Sequence, residues 1–555
     1  MTISSPADTV VRNCVVRTMD ASQPEADSLA IADGKIVYVG PSSGLNSYVG
    51  PATRTVDLGG KTVLPGLMDV HNHHAIAGQH EAELQFPAES SVSEICTAVT
   101  AWIRQHPEDK WVLGSKVGSQ LLGELQQGDA LRQLDAASGD VKVLLTTDCH
   151  HNKWANSAAL AAGGIDASTP NPDDGEIVRD ASGQPTGLLY EGGARSIIRA
   201  LEKDTDPSAA LEAAKKASAA GIRTMHAMGI TGFLDAACGA STLRGLKALD
   251  DAGALKIHAC SSMLINDRIF GNDQLGTALF ALQDDVRGTH HRPDFAKIFL
   301  DGVPMSYTGA FLEPYTQPTG GDGHCCVRGH TTMPYEELEG WLLRCAERGI
   351  NVKIHCTGDA AVRFVLDAVE RVRAAGHRDA IFHVAHGQFV HPADIGRFAP
   401  LGVVADISPP LWFPGAITDA MAAVRSPEEM RRFHPNAELL AAGATLAAGS
   451  DWPVMPDPNP WTGIASLVTR KDPSGERTDA LNEDQSIDLE QAVRAYSINV
   501  ARALGLDKVT GSLERGKSAD FVVLDRDPFS VPIGKVAGTQ TEQTWFAGER
   551  VYARE

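Results

Sequence analysis

The chain has 555 residues, of which 43% are hydrophobic and 21% charged, a composition typical of a soluble globular protein and unlike that of disordered, collagenous or membrane-embedded chains. Its 49 lysines and arginines against 70 aspartates and glutamates give a formal net charge of -21, which argues against nucleic acid or a membrane surface as a partner because both attract clustered cations. Met1 to Asn13 lacks a signal-peptide pattern, and the nine scattered cysteines favour reduced thiols, so we expect a cytoplasmic protein.

Both ends of the chain are predicted to form β structure. Thr9 to Gly40 contains short runs rich in valine and isoleucine, with Asp33-Gly34 as a hairpin turn. The C-terminal stretch has the same character in "SADFVVLDRDP" and "TEQTWFAGERVYA". We expect strands from the two ends to pair in one small domain.

Between the two ends, short apolar runs alternate with helical stretches such as "YEELEGWLLRCAERG", which is the pattern of β/α units. Eight runs are predicted as strands: Thr62 to Val70, Gly221 to Met228, Leu255 to Met263, Phe295 to Gly302, Asn351 to Thr357, Ala380 to His386, Gly402 to Ile407 and Ala444 to Ser450. Eight parallel strands close a (β/α)8 barrel. The alternative is an open doubly wound sheet, which the lack of a glycine-rich phosphate motif disfavours.

The interval from Ala75 to Ala220 is far longer than one connecting helix requires. It contains its own strand-like run, "VKVLLTTDCHH", and a helical stretch, "PSAALEAAKKASAAG". We interpret this interval as an insertion that covers the barrel mouth as a lid or subdomain.

Histidines close several of the predicted strands. His71 and His73 end the first run, and on an extended strand both side chains point to one side, as two ligands of a metal must. Such a pair is often incidental, and His74 shows that this loop is rich in histidine. His355 and His386 close two later runs, and four histidines at the ends of barrel strands favour a metal site.

Two charged residues in apolar runs also need an explanation. Asp451 closes the eighth run, where a carboxylate requires a metal, a hydrogen-bond donor or a catalytic role. Lys297 lies inside the fourth run, where an ammonium group beside a metal is unfavourable. Carboxylation by carbon dioxide would convert Lys297 into an anionic bridge between two metals, and an ion pair with Asp301 is an equally open alternative.

These motifs occur in an order that resembles the amidohydrolase superfamily, specifically the YtcJ-like group of amidohydrolase family 3. The resemblance runs from Thr9 to Tyr552 and rests on "LPGLMDVHNHH", "IHCTGDAAV", "VAHGQFVHPADIGRFAPLGVVADISP", "GSDWPV" and "GSLERGKSADFVVLDRDP". It implies an α/β fold in which a metal-dependent (β/α)8 barrel (63–500, with the insertion at 75–220) is flanked by a β-sandwich built from both termini (1–62 and 501–555).

The resemblance also implies the site residues. One or two divalent metals, most consistent with zinc, would be held by six side chains: His71, His73, carboxylated Lys297, His355, His386 and Asp451. Asp451 would be the general base and acid that serves a metal-activated water, and either a metal or His151 would polarise the substrate carbonyl.

The sequence departs from the family pattern at two places. Where the family has Asp-Gly before the histidine of the insertion motif, this chain has Cys149-His150, although His151 keeps its place. The sixth-strand motif Arg-Ile-Glu-His reads His383-Val384-Ala385-His386 here. Both departures concern substrate contacts rather than the metal ligands.

Five residues are candidates for substrate binding, although a core or solvated position is a common alternative for each residue type: Trp154, Asn156, Glu191, Phe311 and Trp412. The family implies cleavage of a carbon–nitrogen bond in a small molecule, such as a formamide, another acyclic amide or a lactam. Ester, lactone or carbamate hydrolysis and decarboxylation are alternatives at the same site, and a non-catalytic scaffold is a third. The base rate for soluble oligomers favours a homodimer.

Overall fold

The computed structural model describes residues 6–80, 83–87, 89–147, 152–172, 175–267, 274–316, 327–455 and 457–555. Within these ranges the β-strands are β1 (Thr9–Arg17), β2 (Glu25–Ala26), β3 (Ser28–Ala32), β4 (Lys35–Gly40), β5 (Arg54–Pro65), β6 (Leu67–Asn72), β7 (Trp111–Val117), β8 (Lys142–Thr147), β9 (Asn152–Ala155), β10 (Gly175–Arg179), β11 (Pro185–Glu191), β12 (Ile230–Cys238), β13 (His258–Leu264), β14 (His291–Phe299), β15 (Asn351–Cys356), β16 (Phe382–His386), β17 (Val403–Ile407), β18 (Thr445–Ala448), β19 (Phe521–Leu524), β20 (Thr541–Phe546) and β21 (Glu549–Ala553).

The α-helices in the same ranges are α1 (His74–His80), α2 (Val92–Gln105), α3 (Leu122–Leu125), α4 (Gly128–Ser138), α5 (Ser157–Ala162), α6 (Arg195–Asp204), α7 (Pro207–Ala227), α8 (Ala240–Asp251), α9 (Thr277–Phe280), α10 (Gln283–Val286), α11 (Tyr335–Glu347), α12 (Asp359–Ala374), α13 (Pro392–Ile395), α14 (Phe398–Leu401), α15 (Ala416–Ala422), α16 (Pro427–Met430), α17 (Asn436–Ala441), α18 (Pro460–Thr469), α19 (Leu489–Ala495) and α20 (Ile498–Ala503). None of the helices in the described ranges is both long and apolar enough to cross a membrane.

Eight parallel strands form the centre of the molecule. They lie side by side in the order β6-β12-β13-β14-β15-β16-β17-β18, so each strand neighbours the next one along the chain. The first and last strands also meet, because the Asp451 amide donates to the His71 carbonyl at 2.8 Å. This sequential order confirms the predicted (β/α)8 barrel, since a doubly wound sheet reverses its strand order.

The main hydrophobic core lies between the barrel strands and the helices around them. Ile354 on β15, Val365 on α12 and Leu446 on β18 are all fully buried in this core. The strands are buried on both faces because the helices cover their outer side while other side chains fill the barrel.

The predicted second strand is wrong. Gly221 to Ala227 forms the last two turns of α7, and the second barrel strand is β12, which begins at Ile230. Gly229 separates the two elements with a φ of 83°, a left-handed conformation that favours glycine and ends the helix. The alanine-rich stretch before Gly221 propagates the helix through residues that look like a buried strand by composition alone.

A large insertion follows the first barrel strand, as the sequence predicts. It holds a separate five-stranded sheet in the order β10-β11-β9-β8-β7. The predicted strand in "VKVLLTTDCHH" is β8, and the predicted helical stretch lies in α7.

The two termini form one eight-stranded sheet, in which the path β21-β20-β19-β5-β1-β3-β4 is joined by β2. Asp33 and Gly34 form the predicted hairpin turn between β3 and β4, with φ values of 50° and 72°. That hairpin folds back onto the C-terminal segment, because the Ile36 amide donates to the Lys517 carbonyl at 2.9 Å. The pairing of β19 with β5 confirms the prediction that strands from the two ends share one domain, and side chains from both parts of the sheet, such as Ile36 and Phe521, pack in a common core.

Two glycines bring α1 and α7 into backbone contact next to the first barrel strand. A Cβ on Gly78 would lie 1.9 Å from the Ala217 carbonyl oxygen, and a Cβ on Gly221 would lie 2.4 Å from the His74 carbonyl oxygen. The close approach fixes α1, which begins one residue after His73.

We expect Gly78→Ala to lower the free energy of unfolding by about 2 to 4 kcal/mol, because a methyl group there forces two backbones apart. Thermal unfolding followed by circular dichroism measures the change. Gly123→Ala is the matched control, since a Cβ on this helical glycine of α3 meets nothing within 4 Å. Equal melting temperatures for the two variants would show that the helices can separate at no cost.

Candidate metal centre

Side chains from the first and eighth barrel strands converge at one end of the barrel. Asp451 Oδ1 lies 3.5 Å from His71 Nε2 and 3.4 Å from His73 Nε2. The ligand atoms of these three residues all lie within 4.8 Å of one another. Two imidazoles and one carboxylate at this spacing match the donor set that a divalent transition metal requires.

Two further histidines continue the cluster along the neighbouring strands. The His386 ring centroid lies 4.7 Å from that of His71 and 4.6 Å from that of His355. His386 ends β16 and His355 lies on β15, so adjacent parallel strands carry them to the same end of the barrel. The structure therefore brings together all four histidines that the sequence singled out.

The backbone turns sharply at two of these residues. His386 has a φ of 70° and Asp451 a φ of 56°, in the left-handed region that residues with a Cβ rarely adopt. Backbone hydrogen bonds hold the second turn in place, since the His73 amide donates to the Trp452 carbonyl at 2.7 Å. Strain of this kind occurs at functional sites, where the fold fixes side-chain direction at a cost in stability.

Burial keeps His71, His355 and His386 neutral. It lowers the pKa of His71 to about 4, assisted by the nearby Lys353 ammonium, and the pKa of His355 to about 3, assisted by Lys297. Burial raises the pKa of Asp451, but the imidazoles of His71, His73 and His386 outweigh it and hold that pKa well below its usual range. At neutral pH the cluster therefore offers the neutral imidazoles of His71, His355 and His386 beside an ionised carboxylate, which is the ligand form that metals bind.

Lys297 lies on β14 with 1% of its surface exposed. Burial, together with the neighbouring ammonium of Lys353, lowers the pKa of Lys297 to about 7. Asp301 is not its partner among the described residues, because that carboxylate accepts hydrogen bonds from Ala310, Thr357 and Gly358 amides at 2.9 to 3.0 Å. No ion pair joins Lys297 and Asp301 among the described residues, and carboxylation of Lys297, to which a partly neutral buried amine is suited, stays a prediction.

The donor set as a whole fits a divalent metal. Neutral imidazoles and carboxylates are ligands that zinc accepts, and the buried position excludes competing solvent. Apolar rings border the cluster, since the Phe299 ring centroid lies 5.9 Å from that of His355.

Several buried acids and bases around the cluster were missed by the sequence analysis. Asp69 accepts from the His71 amide at 2.9 Å and from the Ser450 hydroxyl at 2.6 Å, which ties the first strand to the eighth. Burial raises the pKa of Asp69 to about 6 despite these hydrogen bonds.

Lys353 and Asp406 lie in other barrel strands. Each of these two residues is a charge inside an apolar run of the sequence. The same pattern identified Lys297, so it could also have identified Lys353 and Asp406.

Two of the predicted substrate residues have structural contacts in the insertion. Trp154 is fully buried in the insertion's hydrophobic core. Asn156 begins α5: its Oδ1 accepts from the Ala159 amide at 2.9 Å, and its Nδ2 donates to the Ser138 hydroxyl at 2.8 Å. These contacts account for both residues within the fold, and their role in substrate binding stays a prediction.

Glu191 ends β11 with a φ of 48° and is half-buried. His151, with Cys149 and His150, lies outside the described residues, so its predicted role stays a prediction as well.

The other two predicted substrate residues follow barrel strands and are buried. The Arg425 guanidinium lies 3.7 Å from the Phe311 ring centroid. Trp412 lies between His434, at 4.8 Å between ring centroids, and the Arg470 guanidinium, at 4.2 Å. Phe311 also packs on Phe389, three residues beyond His386, at 5.2 Å between ring centroids. Both residues are thus packed against other side chains, and their contact with substrate stays a prediction.

Comparison with known proteins agrees with this geometry. A model of the amidohydrolase family matches residues 54–552. N-substituted formamide deformylase of Arthrobacter pascens is 28% identical over 99% of this chain and 98% of its own length, and YtcJ of Bacillus subtilis is 28% identical over 97% and 98%. The crystal structure of an uncharacterized metal-dependent hydrolase from Pyrococcus horikoshii OT3 has the same fold, with a TM-score of 0.76, 21% identity and coverage of 95% of this chain and 99% of that one. The chain thus belongs to the amidohydrolase family and is a metal-dependent hydrolase of carbon–nitrogen bonds.

Proposed function

We propose that this enzyme hydrolyses the amide bond of a small, uncharged molecule, with Asp451 as the general base and acid. The observation that carries the proposal is the convergence of Asp451 on His71 and His73 at 3.4 to 3.5 Å. The carboxylate lies beside two imidazoles that are proposed metal ligands, at the barrel end where the other histidines of the cluster meet.

The proposed ligands are the four histidines, Asp451 and a carboxylated Lys297, which would bridge two zinc ions. Bound there, the metal supplies a Lewis acid and lowers the pKa of water toward about 7. Asp451 is ionised over the whole physiological pH range, because the surrounding imidazoles hold its pKa far below 7. The carboxylate is therefore in the unprotonated form that a general base requires.

In the proposed reaction, the oxygen of the water attacks the amide carbon as Asp451 takes one of its protons. The carbon–nitrogen bond then breaks, and Asp451 returns the proton to the leaving nitrogen. The products are a carboxylic acid and an amine. The sharp backbone turn at Asp451 fixes the carboxylate direction for both transfers.

An apolar amine side of the substrate is supported by Phe299, whose ring centroid lies 5.9 Å from that of His355, and by the Phe311–Phe389 pair, which lies three residues beyond His386 along the chain at Phe389. The relative from Arthrobacter pascens carries the name N-substituted formamide deformylase. N-substituted formamides therefore lead the proposed substrates, followed by other acyclic amides and lactams.

The test is a comparison of N-alkyl and N-benzyl formamides with charged N-acyl amino acids, with products identified by mass. We expect the uncharged formamides to give the higher kcat/KM, and we expect chelator-treated protein to lose activity and regain it with zinc. Cleavage of the charged set alone would contradict the proposed substrate class. Turnover of esters or lactones without any amide would replace the proposed reaction.

A further inference from the structure

Three ionisable side chains lie in the barrel directly behind His71, on the side away from Asp451. They are Lys353 on β15, His383 on β16 and Asp406 on β17, and all three are fully buried. None of them belongs to the proposed ligand set. His383 is also one of the positions at which this chain departs from the family's sixth-strand motif.

Asp406 is the centre of this group. Its Oδ2 forms a close ion pair with Lys353 Nζ and lies 3.1 Å from His383 Nδ1. The opposite nitrogen of His383 lies 2.9 Å from the Ala503 carbonyl oxygen, so the His383 ring is held at both ends. These contacts fix the plane of the Asp406 carboxylate.

The second oxygen of that carboxylate faces the metal cluster. Asp406 Oδ1 lies 3.6 Å from His71 Nδ1, while His71 Nε2 lies 3.5 Å from Asp451 Oδ1. His71 thus stands between two carboxylates, with one ring nitrogen toward each. A histidine whose Nδ1–H points at a carboxylate presents the lone pair of Nε2, which is the ligand form of that nitrogen.

Lys353 could compete for the same nitrogen, since its Nζ lies 3.3 Å from His71 Nδ1. A hydrogen bond from the ammonium to Nδ1 would require the His71 proton on Nε2, where it would block a metal. The ammonium also donates to Asp406 Oδ2, its nearer partner, and so compensates the charge of the buried carboxylate. A metal on Nε2 would place the His71 proton on Nδ1, where Asp406 Oδ1 can accept it and the ammonium cannot.

We propose that Asp406 is a positioning residue: its buried Oδ1, which has no hydrogen-bond partner among the described residues, faces His71 Nδ1 at 3.6 Å and would accept the Nδ1–H when His71 holds a metal through Nε2. The proposal rests on the proposed metal-dependent function. In it, Lys353 compensates the charge of the buried carboxylate, while the contact with His383 fixes the direction of that carboxylate.

Three variants separate positioning from packing: Asp406→Leu, Lys353→Met and the double variant. Zinc affinity is measured by competition with a chromophoric chelator, and the visible spectrum of the cobalt-loaded protein reports ligand geometry. Thermal unfolding of the metal-free proteins reports stability. None of these readouts depends on substrate.

We expect Asp406→Leu to weaken zinc binding by about 10- to 100-fold and to change the cobalt spectrum. Each single variant leaves the other member of the ion pair as an uncompensated buried charge, so both single variants are expected to unfold more readily. Lys353→Met should bind zinc within about threefold of the unchanged chain, because Asp406 still faces His71.

The double variant decides the matter. Replacing the whole ion pair with apolar side chains is expected to restore the melting temperature, since no buried charge is left unpaired. Zinc affinity should stay about 10- to 100-fold weaker if Asp406 positions His71. Recovery of both stability and zinc affinity would overturn the proposal and leave Asp406 a purely structural partner of Lys353.

The outcome for the unchanged chain distinguishes this inference from the proposed function. Tight zinc binding without amide hydrolysis would overturn the proposed function, while the comparison of variants would still decide the role of Asp406. A chain that binds no zinc would overturn both.

Discussion

Replacing Asp451 with asparagine is expected to lower kcat by about 10²- to 10⁴-fold, the contribution of a positioned general base. The substitution keeps the size of the side chain but removes the carboxylate that lies within 3.5 Å of both His71 and His73. An amide nitrogen or oxygen accepts a proton from water far less readily than a carboxylate does. The proton needed by the leaving nitrogen is lost from the site as well.

The measurement pairs steady-state kinetics with metal content, because Asp451 is also a proposed ligand. Asp457→Asn is the matched control: this exposed aspartate lies six residues farther along the same loop, and its substitution should leave kcat unchanged. A variant of Asp451 that keeps both its metal and substantial turnover would refute the assignment of Asp451 as general base.

Replacing Lys297 with methionine is expected to reduce the metal content from about two equivalents per chain to one or fewer. The physical reason is that a carboxylated lysine bridges two metals, and methionine keeps the length of the side chain while it cannot react with carbon dioxide. Elemental analysis by plasma mass spectrometry gives the ratio, on protein purified without chelator or affinity-tag metal. Loss of the second metal should abolish most of the activity.

Lys353→Met is the matched control for this experiment. Lys353 is the partner of Lys297 in the pairing of β14 with β15 and is equally buried, yet it is committed to Asp406. We expect the Lys353 variant to keep both metals. If the unchanged chain holds only one metal, or if Lys297→Met keeps two, the bridging role of Lys297 is wrong.

The strand ends of the barrel could be predicted from the sequence to a large extent. A parallel strand buried on both faces is a short apolar run, and a polar residue that closes such a run must lie at the barrel's end. This local reasoning identified His71, His355, His386 and Asp451 without any long-range contact. It also predicted the fourth-strand position of Lys297, which the structure confirms.

The same reasoning was wrong at the second strand, where Gly221 to Met228 reads as an apolar run but continues α7. Composition cannot separate a buried strand from the end of a buried helix. The packing of Gly221 against the backbone of α1 decides the matter, and that contact joins parts of the chain on either side of the whole insertion.

The sequence by itself determined the barrel architecture and the chemistry at its strand ends. The spacing of apolar residues and the free-energy cost of burying a charged side chain can both be read from short stretches of the chain. Only the tertiary structure decided which buried charges meet. Asp406 is 53 residues from Lys353, and Lys353 is 282 residues from His71, so their contacts exist only once the barrel closes. Contacts between side chains on different strands of a closed barrel depend on the register and stagger of the strands. No single run of residues encodes these quantities.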